Sequence, residues 1–135
     1  MSRPLVRLVG LPASLSSSFV PSLFGATFRR ERAAAVADRV ARVGAMPGRD
    51  VSFALRAWLD RRADADLLRG VRAPAWVVVG AEDAPCPPDH ARELSACLSD
   101  ARLVVVPVGG HTLPLEQPAI VAGVVAEALA ATSSA

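Results

Sequence analysis

Lysine and tyrosine are absent from the 135 residues, and all 15 basic residues are arginine. Aromatic residues are scarce, with four Phe and two Trp. That scarcity bears on how the charge is read. The net charge is only +2, but residues 1–62 hold eleven Arg against Glu31, Asp38, Asp50 and Asp60, about +7, while residues 63–135 hold four Arg against nine acids, about −5. A basic half can mark a nucleic-acid or membrane surface. Here the arginines are scattered along helical patterns without aromatic stacking residues between them, which favours solvated helix faces and argues against nucleic acid. Cysteine is limited to Cys86 and Cys97, whose spacing fits neither a CxxC redox motif nor a zinc knuckle. His90 and His111 would complete four possible metal ligands, but the intervals do not suit a compact site, so no metal is expected. Two reduced thiols fit a cytoplasmic protein. Long apolar runs are also missing. Leu8 to Phe28 is uncharged but interrupted by Pro12, Pro21, two glycines and five serines, which excludes a membrane span and a signal peptide. The first thirty residues lack acids and bear Arg and Ser, as a transit peptide would; they are read here as part of a cytoplasmic fold. There are no internal repeats.

What is present describes one soluble domain. Apolar residues make up 52% of the chain and charged residues 21%, a composition able to bury a core. Leu5 to Val9 reads as a strand ending at Gly10, followed by a Pro- and Ser-bearing loop. From about Arg29 to Val43, Ala33, Val36, Val40 and Val43 fall at helical spacing, and Gly44 and Pro47 end the helix. A second helix is expected over about Asp50 to Arg62, with Asp50 as N-cap and Val51, Leu55, Trp58 and Leu59 as its buried stripe. Trp76 is likewise expected to pack as an anchor. The pattern then changes. Ala75 to Val79 is a continuous apolar run ending at Gly80, which suits a strand buried on both faces of a parallel sheet. Pro87 or Pro88 starts a helix with Ala91, Leu94 and Leu98 inward. Leu103 to Val106 is another such strand, and Pro118 opens a final helix with a stripe of Ile120, Val121, Val124, Val125, Ala128 and Leu129. Residues 69–131 therefore form a βαβα segment, residues 1–14 a strand and loop, residues 15–68 a helical cap-like insertion, and residues 132–135 a frayed tail. The fold class is α/β, with about three parallel strands.

In open α/β sheets, sites lie beyond the carboxyl ends of the strands. Two loops leave those ends. Asp83 sits just past one strand and His111 just past the other. If the strands are neighbours, both side chains meet in one crevice, where a carboxylate fixes the tautomer of an imidazole acting as general base. His90 falls on the exposed side of its helix. Cys86 lies three residues past Asp83, in an acid-rich loop that does not favour a thiolate.

The stretch from Leu67 to Pro118 resembles the late half of the α/β-hydrolase family. Gly80, Asp83 and Pro87 fit a strand ending G-x-x-D-x-x-x-P, and Gly110, His111, Glu116 and Pro118 fit a G-H turn followed by an acidic-x-Pro helix start. The chain order of that family is nucleophile, acid, histidine. The resemblance implies that Asp83 is the triad acid and His111 the general base, and that the segment before Leu67 is similar to the small cap of esterase-like and enol-lactonase-like members. The family's nucleophile elbow, G-x-S-x-G, is not in the sequence, nor are the oxyanion-hole donors associated with it. Ser14, Ser16, Ser17 and Ser18 follow the first strand but are not framed by glycines. The expectation is a partial α/β-hydrolase fold, truncated at the strand after the elbow, with no cofactor. Completed by a second chain that supplies the nucleophile, or by homo-oligomerisation, it would act on a small ester, lactone or related acyl substrate. The alternative is a catalytically inactive remnant or interaction module of the same fold.

Overall fold

The structure, a computed structural model, describes residues 13–60 and 65–133. The strand expected at Leu5 to Val9 lies outside the described residues. The chain divides into two compact units, Met1–Ser22 with Arg32–Ala63, and Leu23–Glu31 with Asp64–Ala135.

The first unit is helical where described. It contains α1 (Ala13–Ser22), α3 (Ala33–Gly44) and α4 (Gly48–Leu59), and α1 packs against α3. Among its described residues, Val20 and Val36 are buried. Three details differ from the sequence reading. The Ser-bearing stretch expected as a loop is the helix α1. Serine is only mildly unfavourable inside a helix, and Pro21 comes one residue before its end, where it stops the helix rather than breaking it. The single helix expected from Arg29 is interrupted at Arg32 (φ −128°, ψ 39°); the apolar period runs on past this point, so periodicity does not reveal it. The N-cap of α4 is Pro47, which puts Asp50 in the first turn, where its charge complements the helix dipole. The α4 stripe is not fully covered either, since Trp58 is 60% exposed and Val51 is half-buried; the Leu55 and Leu59 side chains fall outside the described set.

The second unit holds the sheet. Strands β1 (Ala75–Gly80) and β2 (Ala101–Val106) are parallel neighbours, in register from Ala75 opposite Ala101 to Gly80 opposite Val106. Parallel neighbours need a crossover, and α6 (Pro88–Cys97) supplies it, with Pro87 as N-cap and Pro88 pre-set for its first turn. Alternate strand residues point to opposite faces. Val77 and Val79 meet Ala91 of α6, flanked by Leu98 and Leu103, and burying each such valine is worth roughly 1.5 kcal/mol. Leu94, expected inward, is 40% exposed.

Helix α8 (Pro118–Ser133) contacts β1. Its one charged residue, Glu127, accepts hydrogen bonds from Trp76 Nε1 at 3.2 Å and from the Arg102 guanidinium. Trp76 and Arg102 are a registered pair across the strands, so a single carboxylate bonds to both strands. The expected apolar stripe of α8 is largely uncovered: Ile120, Val125 and Leu129 are 42%, 52% and 62% exposed, and Val121, Val124 and Ala128 are half-buried. The helix also continues through the tail expected to fray, as far as Ser133, where Thr132 and Ser133 hydroxyls donate back to Ala128 and Leu129 carbonyls. Short helices α2 (Ala26–Glu31), α5 (Ala65–Arg69) and α7 (Leu113–Glu116) complete the unit. No described helix is long and apolar enough to cross a membrane.

Candidate active site

The register places the carboxyl ends of β1 and β2 side by side, and two loops leave them together. The ladder runs on past the strands: Ala81 N–H donates to Val106 O at 2.8 Å, and Glu82 N–H donates to Gly109 O at 2.9 Å. This seats the second loop on the end of β1. The seat exists because residue 80 has no side chain, since a Cβ there would overlap the Gly109 carbonyl. Gly110 is equally confined, with the backbone of Phe24 and Gly25 where its Cβ would be.

The first loop turns back so that Asp83 N–H donates to Gly80 O at 3.2 Å. The Asp83 carboxylate is thereby buried, 9% exposed for the residue as a whole. Its Oδ1 accepts from Cys86 N–H at 2.8 Å. His111, from the second loop, brings Nδ1 to 3.0 Å from Asp83 Oδ2 and 3.2 Å from Oδ1. A carboxylate only accepts, so Nδ1 is the nitrogen that carries the hydrogen, and in the neutral ring the lone pair is on Nε2. The His111 side chain is 41% exposed against 8% for Asp83, so a buried acid backs an accessible base. This arrangement can orient an imidazole and stabilise it once protonated. The two residues expected to meet across neighbouring strand ends do so.

Two further carboxylates organise the loops. Glu116, on α7, is 8% exposed. Its Oε2 accepts from Gly110 N–H at 2.9 Å and Gly25 N–H at 3.0 Å, and its Oε1 accepts from the Thr112 hydroxyl at 2.8 Å. Glu82, beside Asp83, accepts from Thr27 N–H at 2.8 Å and the Thr27 hydroxyl at 2.5 Å. The Thr27 hydroxyl first, then its amide, hold the Glu82 carboxyl below the ordinary glutamate range, with Arg30 and Arg29 adding to the effect. Thr112 N–H donates to Leu23 O at 3.1 Å. Phe24 stacks on Phe28 with ring centroids 5.4 Å apart.

The sequence reading used Glu116 as a motif position without its role, and missed Gly25 and Thr27. Their partners lie 91 and 55 residues away, respectively, and the only local signal is a Gly-Ala-Thr helix start at residues 25–27. His90 and Cys86 are exposed, as expected for His90. Ser14, Ser16, Ser17 and Ser18 lie on α1 of the other unit. Among the described residues, no group of three or more His, Cys, Asp or Glu could hold a metal ion.

Residues 2–124 match the family described as the alpha/beta hydrolase family. No curated protein matches the chain. Among solved structures, it is similar to a thermophilic esterase from Thermogutta terrifontis, at 27% identity and a TM-score of 0.83, over 92% of this chain and 45% of that one. It is also similar to the enol-lactonase from Burkholderia xenovorans LB400, at 21% identity and a TM-score of 0.79, over 93% of this chain and 47% of that one. A hydrolase from Pseudomonas aeruginosa PA01 matches at 22% identity and a TM-score of 0.77, over 92% of this chain and 46% of that one. The last two likenesses bear on the fold alone. The chain spans under half the length of each of these three proteins.

Proposed function

Because this chain belongs to the alpha/beta hydrolase family, we propose that it supplies the acid and the base of a cytoplasmic hydrolase for an ester, lactone or related acyl bond. The observation that supports this most is the contact of His111 Nδ1 with the buried Asp83 carboxylate at 3.0 Å, with Nε2 left free of that carboxylate. The thermophilic esterase it is similar to agrees with acyl chemistry. His111 Nε2 takes the proton of a hydroxyl nucleophile as its oxygen attacks the acyl carbon. The imidazolium, stabilised by Asp83, passes that proton to the departing alkoxide. His111 then takes a proton from water as the water oxygen attacks the acyl carbon, and returns it to the nucleophile oxygen as that bond breaks, releasing the carboxylic acid and restoring the hydroxyl.

The pentapeptide G-x-S-x-G is not among these 135 residues, so the nucleophile in this reading comes from outside them, as from a polypeptide that carries the elbow. The same observation favours a second reading, a non-catalytic remnant or interaction module of the fold. The two separate in one experiment: hydrolysis of a short-chain p-nitrophenyl ester and labelling by a fluorophosphonate. The first reading expects neither from a monomeric preparation of the chain alone. It expects both after co-expression with a chain bearing the elbow, with hydrolysis abolished by His111→Ala. The second expects no activity under either condition. Hydrolysis and labelling by the isolated monomer would place the nucleophile within this chain, and Ser14 to Ser18 would be mapped first.

A further inference from the structure

The two site loops share a third element that the acid–base reading does not use. Leu23 to Thr27 touches both of them. At one end, the Leu23 carbonyl accepts from Thr112 N–H at 3.1 Å, next to His111. In the middle, Gly25 N–H donates to Glu116, whose same oxygen also holds Gly110 N–H, on the other side of His111. At the far end, the Thr27 amide and hydroxyl both donate to Glu82, the residue before Asp83. Every long-range bond of this short segment thus ends within one residue of Asp83 or His111, or on the carboxylate that holds the flanks of His111.

We propose that Leu23–Thr27 is a strap that sets the spacing between Asp83 and His111, with Thr27, Glu82 and Glu116 as positioning residues. The inference rests on the acid–base reading above and deepens it. Asp83 and His111 meet through one pair of groups, and the imidazole is 41% exposed, so water competes for that contact. A tautomer fixed at such a contact needs loops that cannot drift apart by a fraction of an ångström. The ladder bond from Glu82 to Gly109 O fixes the loops only where they leave the sheet. The strap fixes them further out, from the other side. Charge-assisted bonds to Glu116 and Glu82 suit this task because they are short and directional. The stacked Phe24 and Phe28 rings hold the turn from strap into α2.

The readout is the tautomer of His111, measured by nitrogen-15 NMR of the ring in the whole chain. It needs no nucleophile and no substrate. Wild type is expected to hold the Nδ1–H form. Thr27→Val keeps the side-chain shape and removes one donor, and Glu116→Gln keeps the length and removes the charge. Each is expected to lower the ratio of Nδ1–H to Nε2–H by about fivefold, the effect of one hydrogen bond. Leu103→Ala, a core control, should lower the unfolding temperature without moving the ratio. A wild-type ratio in Thr27→Val, with the chain folded by circular dichroism, would overturn the strap even if Glu116→Gln failed to fold. A shift in Leu103→Ala as large as in Thr27→Val would overturn it too, because the ratio would then follow stability alone. An Nε2–H tautomer in wild type would overturn the Asp83–His111 pair itself, and the strap with it. The two failures therefore look different.

Discussion

The crest of the sheet and the helix Pro118–Ser133 belong to the same unit and are built on opposite terms. At the crest, polar groups from loops far apart in sequence are buried and partnered: Asp83 and Glu116 both bond at short range, and no described buried side-chain nitrogen or oxygen lacks a partner. Along the helix, apolar groups lie open, Val125 at 52% and Leu129 at 62% exposure. A buried unpartnered polar atom costs about 1–3 kcal/mol, whereas an exposed leucine forgoes burial without adding a penalty. Hydrogen-bond geometry therefore specifies the crest, while the helix is held by the bonds of Glu127 and by its contacts with α7 and β1.

If this contrast is right, substitutions at the crest should do much more than substitutions on the helix. The largest effect is on chemistry. In an enzyme completed by a nucleophile, Asp83→Asn should lower kcat by about 10⁴-fold, by favouring the wrong tautomer of His111, while urea unfolding of the chain changes little. Next comes Glu116→Ala, which leaves the Gly25 and Gly110 amides and the Thr112 hydroxyl without their acceptor; a loss of about 3 kcal/mol in urea unfolding is expected. Gly80→Ala forces a Cβ onto the Gly109 carbonyl and should cost about 2 kcal/mol. The acid limb of the stability curve sharpens the comparison further. Glu82 is held below its ordinary range by Thr27, so its contribution is complete above the unfolded glutamate value and is lost as pH falls through the lower folded value. Glu82→Gln should flatten that part of the profile, read by unfolding at a series of pH values. The smallest effect is expected on the helix, where Leu129→Ser should change stability by no more than about 0.5 kcal/mol. A large loss there would break the contrast and show that the helix face is covered in solution.

The parts legible in the sequence are those in which a residue's environment is set by its neighbours in the chain. The runs Ala75–Val79 and Leu103–Val106 announced the paired strands, Pro87 and Pro118 marked the helix starts, and the loops past Gly80 and Gly109 located Asp83 and His111. The acid–base contact followed because parallel neighbours bring their ends together. What escaped was set by distant partners or by coverage. Thr27 and Gly25 look ordinary until Glu82 and Glu116 are placed beside them. Trp58 and the stripe of the last helix have the period of buried residues, and period alone does not say whether anything lies against them. The Ser-rich stretch reads as loop by composition and is helix in fact, since serine disfavours a helix by only about 0.5 kcal/mol.

The seat of the second loop on Gly80 has a genetic consequence. Most crowded positions can be rescued by trimming the neighbour they strike. At Gly80 the obstacle is the carbonyl of residue 109, and at Gly110 it is the main chain of residues 24 and 25. Every amino acid carries those atoms. A randomised library of this chain should therefore yield suppressors of core lesions such as Leu103→Ala, but no second-site suppressor that restores packing around an alanine at position 80 or 110.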